Sequence, residues 1–141
     1  MSVERGRVAL VDSNVIIDVR TEDPVWYEWS AGALADAADR YQLAINPIIY
    51  AEVSVDAERI EDLDLELPER DYLRLPLPYE AGFLAGKAFV SYRRAGGERD
   101  SPLPDFYIGA HAAVQGLTLV TRDAARYQTY FPSVSLIKPS T

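Results

Sequence analysis

Val8-Ala9-Leu10-Val11-Asp12-Ser13-Asn14 sets four apolar residues in an unbroken run and follows them with three polar ones. A strand with one wet face would alternate apolar and polar side chains. An unbroken run reads instead as a strand buried on both faces, the form that parallel strands take beneath covering helices. Asp, Ser and Asn all favour the position just before a helix, so the strand is predicted to turn directly into a short helix over Val15 to Val19. Strand into helix is the first half of a βαβ unit.

The same alternation continues downstream. Trp26, Trp29, Ala33, Leu34, Ala37 and Tyr41 recur at three- and four-residue steps, predicting an amphipathic helix between Val25 and Tyr41 with both tryptophans in the core. Leu43-Ala44-Ile45 predicts a second strand, and Asn46-Pro47 an N-cap with proline at the first helical position, opening a helix towards Ala57. Ala81, Leu84, Ala85, Ala88, Phe89 and Tyr92 repeat with helical period up to Arg93, Arg94 and Gly96-Gly97. Asp105 is expected to cap a helix reaching Gln115, with Gly116 as its stop. A strand over Leu117 to Val120, a short helix over Ala124 to Tyr127 and a strand over Val134 to Ile137 complete the chain. Between Glu58 and Leu77, Leu63, Leu65 and Leu67 lie among acids and prolines and permit either a short helix or an edge piece. The expectation is an α/β fold, a three-layer α/β/α sandwich with a mostly parallel central sheet. With no internal repeat or Gly/Ser-rich linker, residues 1–141 are expected to form one domain.

Composition narrows the chemistry. Asp plus Glu outnumber Lys plus Arg by 22 to 14, a formal charge of −8, which argues against broad clamping of nucleic-acid phosphates. There is no cysteine, so disulfides, thiolate zinc sites and thiol nucleophiles are excluded, and the cytoplasm is the simplest compartment. The apolar stretch Val8 to Val19 is broken by Asp12, Asn14 and Asp18, so neither a signal-peptide core nor a membrane partner is expected there. His111 is the only histidine and reads as a packing or helix-surface residue, and no Walker-type phosphate loop follows Gly96-Gly97.

Four carboxylates remain. In an open parallel sheet, ligands collect beyond the carboxyl ends of the strands. Asp12 directly follows the first strand, and Asp123 follows Leu117 to Val120 after Thr121-Arg122. Each has an alternative reading as a plain helix cap. Glu52 falls on the stripe defined by Ile48, Ile49 and Val53 and is expected to point inward, where a carboxylate must be salt-bridged, protonated or metal-bound. Asp105 opens a helix whose inner positions, Gly109, Ala110, Ala112 and Ala113, allow close approach. Asp12, Glu52, Asp105 and Asp123 make a hard-oxygen set, which selects Mg2+ or Mn2+ and suits phosphodiester hydrolysis.

Val11-Asp12-Ser13-Asn14, Pro47 to Glu52, Asp105 to Ala112 and Thr121-Arg122-Asp123, in this order, resemble the PIN-domain nucleases, and in particular the VapC-type toxins. The tail from Tyr127 to Ile137 resembles that family's closing helix and strand. Glu58 to Arg74 matches no family pattern, and Ser13 stands where the family commonly has threonine. The resemblance implies that Asp12, Glu52, Asp105 and Asp123 are the acidic quartet, with Asn14 and Thr121 as polar supports. It implies an endoribonuclease acting on RNA such as transfer or ribosomal RNA, a cognate antitoxin partner, and a homodimer. Arg93, Arg94 and Arg99 are candidates for steering the RNA backbone past an acidic surface, or are solvated helix-end charges. The alternatives are a non-toxin nuclease in RNA maturation or DNA repair, and a catalytically silent binding module.

Overall fold

Asp12 leaves the sheet at the point where the chain changes direction across it, and the whole architecture follows from that reversal. The computed structural model describes residues 7–140; residues 1–6 and 141, which the single-domain expectation includes, lie outside the described residues. Five strands form one sheet: β1 (Val8–Val11), β2 (Gln42–Ile45), β3 (Leu73–Arg74), β4 (Thr118–Val120) and β5 (Leu136–Ile137), in the order β3-β2-β1-β4-β5. Every pairing is parallel, with Leu10 opposite both Ala44 and Leu119. The sheet is thus wholly parallel where a mostly parallel one is expected from sequence.

Parallel neighbours require crossovers, and these carry seven helices: α1 (Ser13–Thr21), α2 (Tyr27–Arg40), α3 (Pro47–Ser54), α4 (Ile60–Glu66), α5 (Tyr79–Arg94), α6 (Pro104–Gln115) and α7 (Ala125–Tyr130). The chain steps from β1 through β2 to β3, then returns past β1 to β4 and β5. Because such crossovers are right-handed, the reversal puts helices on both faces and makes the three-layer α/β/α sandwich. All four residues of β1 are buried, as its unbroken apolar run requires.

Several boundaries carry lessons. Asn46 caps α3 as expected, its Oδ1 accepting from the Ile49 N–H at 2.9 Å. Gly116 ends α6 at φ 64°, in the left-handed region where a side chain is strained. The expected cap at Asp105 is not formed: α6 starts two residues earlier, with Leu103 at the N-cap and Pro104 fixing the first turn, so the Asp105 carboxylate is left for other partners. Residues 58–77 hold both pieces that their sequence permits, helix α4 and edge strand β3. In α4, Leu63 and Leu67 turn inward, one helical turn apart, and Leu65 stands outside. Among the described residues, no helix is long and apolar enough to cross a membrane.

Candidate active site

The carboxyl ends of β1 and β4 lie side by side, joined by the Asp12 N–H donating to the Val120 carbonyl at 2.9 Å. Their following loops lead to opposite sides, β1 towards β2 and β4 towards β5, which opens the crevice where parallel sheets bind ligands. Asp12 sits at its floor, 3 % exposed. It occupies the N-cap position of α1, yet its side chain makes no capping bond. Instead Oδ2 accepts from the Thr121 hydroxyl at 2.9 Å, the Tyr127 hydroxyl at 2.9 Å and the Asn14 amide at 3.4 Å. Burial pushes its pKa up from 3.8 to about 6, against the pull of the Thr121 and Tyr127 bonds, and the charges of Asp105 and Glu52 push the same way.

Glu52 reaches the crevice from α3. Its carboxylate is half-buried and accepts from the Ser13 hydroxyl at 2.8 Å, so the inward direction read from the helix stripe holds, and among the described residues no arginine pairs with it. Burial raises its pKa, with Asp105 adding repulsion. Asp105, in the first turn of α6, receives Arg126 Nη1 at 3.3 Å, and its Oδ1 lies 3.4 Å from the Tyr127 hydroxyl. Burial raises this pKa too, while Arg126 lowers it. The structure therefore brings Asp12, Glu52 and Asp105 within one another's electrostatic reach. Asp123 is placed differently: its side chain is exposed on the rim, close enough to repel Asp105, while its backbone N–H donates to Thr121 Oγ1 at 3.2 Å. Asn14 and Thr121 are hydrogen-bonded to each other at 3.3 Å and both to Asp12.

Two buried polar contacts hold this frame. Asn46 spends its Oδ1 on capping, which leaves its Nδ2 to face His111 Nδ1 at 2.9 Å. The ring proton then belongs on Nε2, which donates to Gln115 Oε1 at 3.0 Å. His111 is thus a packing residue, fully buried, that ties the helix of Glu52 to the helix of Asp105. On the other side, Arg122 Nε and the Ser30 hydroxyl both donate to Asp18 Oδ2 at 2.7 Å, and Arg122 lies over the Trp26 ring, which anchors the loop carrying Asp123.

Sequence reasoning missed Arg126 and Tyr127. Nothing local marks them: Tyr127 reads as core, and Arg126 as one basic residue of a short helix. The contacts that matter join α7 to positions more than twenty and more than a hundred residues away. Arg93 donates to the Arg99 carbonyl and pairs with Asp100 at 3.7 Å, so it serves its own loop, while Arg94 is exposed at the end of α5 and Arg99 in the loop that follows.

All donors here are hard oxygens in a field of like charge, and Asp12 Oδ1 accepts no hydrogen bond among the described residues, so donor type and charge fit a hard divalent cation. Among the described residues no three His, Cys, Asp or Glu side chains already close on one point at ligand distance.

A family model described as PIN domain matches residues 9–132. Comparison with curated proteins finds no match. Among solved structures, the fold is similar to that of VapBC-1 from nontypeable Haemophilus influenzae, at TM-score 0.70 and 18 % identity over 93 % of this chain and 97 % of that one. It is similar to VapBC2 from Rickettsia felis, bound to a DNA fragment from their promoter, at TM-score 0.69 and 18 % identity over 93 % and 98 %. A toxin-antitoxin complex from Klebsiella pneumoniae gives TM-score 0.60 and 22 % identity over 89 % and 94 %.

Proposed function

Because this chain belongs to the PIN-domain family, we propose that it is a metal-dependent endoribonuclease, the toxin of a type II toxin-antitoxin pair, acting on transfer or ribosomal RNA. The observation that carries the reading is the trio Asp12, Glu52 and Asp105, drawn from β1, α3 and α6, each carboxyl held above its usual pKa by burial and by its neighbours. Evolution of a stable fold alone gives no reason to gather like charges in a crevice, whereas a cation shared between them removes the repulsion.

Asp12, Glu52 and Asp105 would hold Mg2+, with Mn2+ as a substitute, and Asp123 would help from the rim. The bound ion would supply Lewis acidity and a water of lowered pKa. The chain's own residues do the rest. Thr121 and Asn14 keep Asp12 turned towards the crevice, and Ser13 keeps Glu52 there. Arg126, backed by the rings of Tyr92 and Phe106, presents a guanidinium beside Asp105 where an RNA phosphate would arrive. Arg94 at the end of α5 and Arg99 in the loop after it would draw the RNA backbone towards that edge.

The solved structures similar in fold are toxin-antitoxin complexes, which supports an antitoxin as the protein partner. A homodimer belongs to the same proposal. The outer face of α5 offers the surface for it: Tyr79 and Phe83 are 96 % and 70 % exposed, and Gly82 and Gly86 leave open space beside them.

The test is to incubate purified protein with labelled total RNA in Mg2+, in Mn2+ and in chelator, beside Asp12→Asn, and to map every cut. Discrete cuts lost with chelator and with the variant are the expected result. Intact RNA under every condition, with no ion bound in calorimetry, would leave a catalytically silent binding module in its place.

A further inference from the structure

Tyr127 is 1 % exposed in α7, packed where a phenylalanine would fill the same space, so its hydroxyl is the feature that calls for a reason. That hydroxyl lies 2.9 Å from Asp12 Oδ2 and 3.4 Å from Asp105 Oδ1. Among the described residues it is the only side chain hydrogen-bonded to the carboxylates of two of the four acids: Ser13 serves Glu52, Arg126 serves Asp105, Asn14 serves Asp12, and Thr121 joins the Asp12 carboxylate to the backbone of Asp123. The two acids come from the end of β1 and the start of α6, and Tyr127 supplies the link between them.

The chemistry of the linking group is informative. A lysine or arginine between two carboxylates would neutralise them and settle the ion-free protein. A phenol carries one proton and no charge at neutral pH; it donates that proton mainly to Asp12 at 2.9 Å and shares it more weakly with Asp105 at 3.4 Å, which fixes their spacing without neutralising either carboxylate. It also shares one oxygen of Asp12 with Thr121 and Asn14, which leaves Oδ1 without a donor among the described residues.

We propose that Tyr127 is a positioning residue of the cation site: its hydroxyl holds Asp12 and Asp105 beside each other and orients Asp12 so that Oδ1 is the oxygen presented to a divalent ion. This rests on the reading of the site as one for a divalent cation, and it assigns to this chain a role that its acidic residues alone do not fill. Groups that orient a metal's ligands change affinity by roughly 10–100-fold when removed.

The experiment is a calorimetric titration of the full chain with Mn2+ alone, without RNA, comparing the wild type with Tyr127→Phe and recording the melting temperature of each without ion. The expected result is a loss of Mn2+ affinity of about tenfold or more in the variant. A purely structural hydroxyl would lower the melting temperature and leave the affinity unchanged, and that outcome overturns the proposal while the cation site stands. Absence of Mn2+ binding by the wild type overturns the cation reading and this proposal with it. Should the variant not fold, tyrosine labelled with carbon-13 in the wild type gives a second readout. The Tyr127 Cζ resonance is expected to shift in step with Mg2+ occupancy, and a resonance unmoved at saturation overturns the proposal.

Discussion

Asp12 pays for its position in the ion-free protein, and pH exposes the cost. Its folded pKa, about 6, lies above the ordinary 3.8, so the native state holds the proton more tightly than the unfolded chain does. The stability this gives is complete below the unfolded value and is lost as pH rises from there through about 6. The gap of about two pKa units corresponds to on the order of 3 kcal/mol. Asp12→Asn keeps the shape and removes the charge, so it should abolish cleavage yet melt higher than wild type at pH 7, with the difference closing near pH 4. A variant that melts lower than wild type at pH 7 in the absence of divalent ions would contradict this. Glu52 was legible at this scale, because a carboxylate on an apolar helix stripe has few ways to be satisfied. Asp123 was legible only as to edge: its place after β4 follows from the chain, but its outward side chain depends on how the Arg122–Asp18 pair sets the loop. Tyr127 was not legible as more than core, since its partners are fixed by tertiary structure alone.

Among the elements, α6 is the one whose exact seat matters most, because it carries Asp105 in its first turn and His111 in its middle. Gly109 sets that seat. A Cβ there would lie 2.4 Å from Cδ2 of Phe131, a ring only 3 % exposed that cannot swing away cheaply. Gly109→Ala gains up to about 1 kcal/mol in helix propensity. Overpacking costs about 1–3 kcal/mol, and with a rigid buried ring the clash should win. The expected outcome is a lower melting temperature together with reduced cleavage, as α6 is pushed off its neighbours; a raised melting temperature with full activity would contradict it. Periodicity gave α2 and α5 to within a few residues, because long apolar stripes leave little choice, and the glycine stop at Gly116 gave the end of α6. It could not settle α4 and β3. The strand has two residues, both exposed, and it exists because β2 offers an unpaired edge, which no local pattern records. The start of α6 was misread because a capping aspartate and a proline compete for the same turn, and the proline's fixed φ wins.

At the scale of the whole molecule, a chain with charge −8 is assigned a polyanionic substrate, and the conflict is resolved by where the charges lie. The acids meet at the sheet edge with Arg126 beside Asp105, and Arg94 and Arg99 lie exposed at and just beyond the end of α5, on the chain that leads into α6. The parallel sheet was legible from alternating elements, and with it the edge that Asp12 and Asp123 share; the strand order and its reversal at β1 and β4 were not, because they depend on which strands pair in the folded chain. If two copies pair through the outer face of α5, Phe83→Glu should convert a dimer to a monomer in sedimentation velocity while the melting temperature changes little. Wild-type protein that sediments as a monomer, or a variant that remains a dimer, would remove α5 from that role. The decisive measurement concerns the ends of the cut RNA. Hydrolysis by water at a carboxylate-held cation leaves a 5′-phosphate and a 3′-hydroxyl, with cleavage lost in Asp12→Asn and in chelator. A 2′,3′-cyclic phosphate, or cleavage that persists in chelator, would show that the 2′-hydroxyl attacks instead and that the carboxylates of this crevice are not the centre of the reaction.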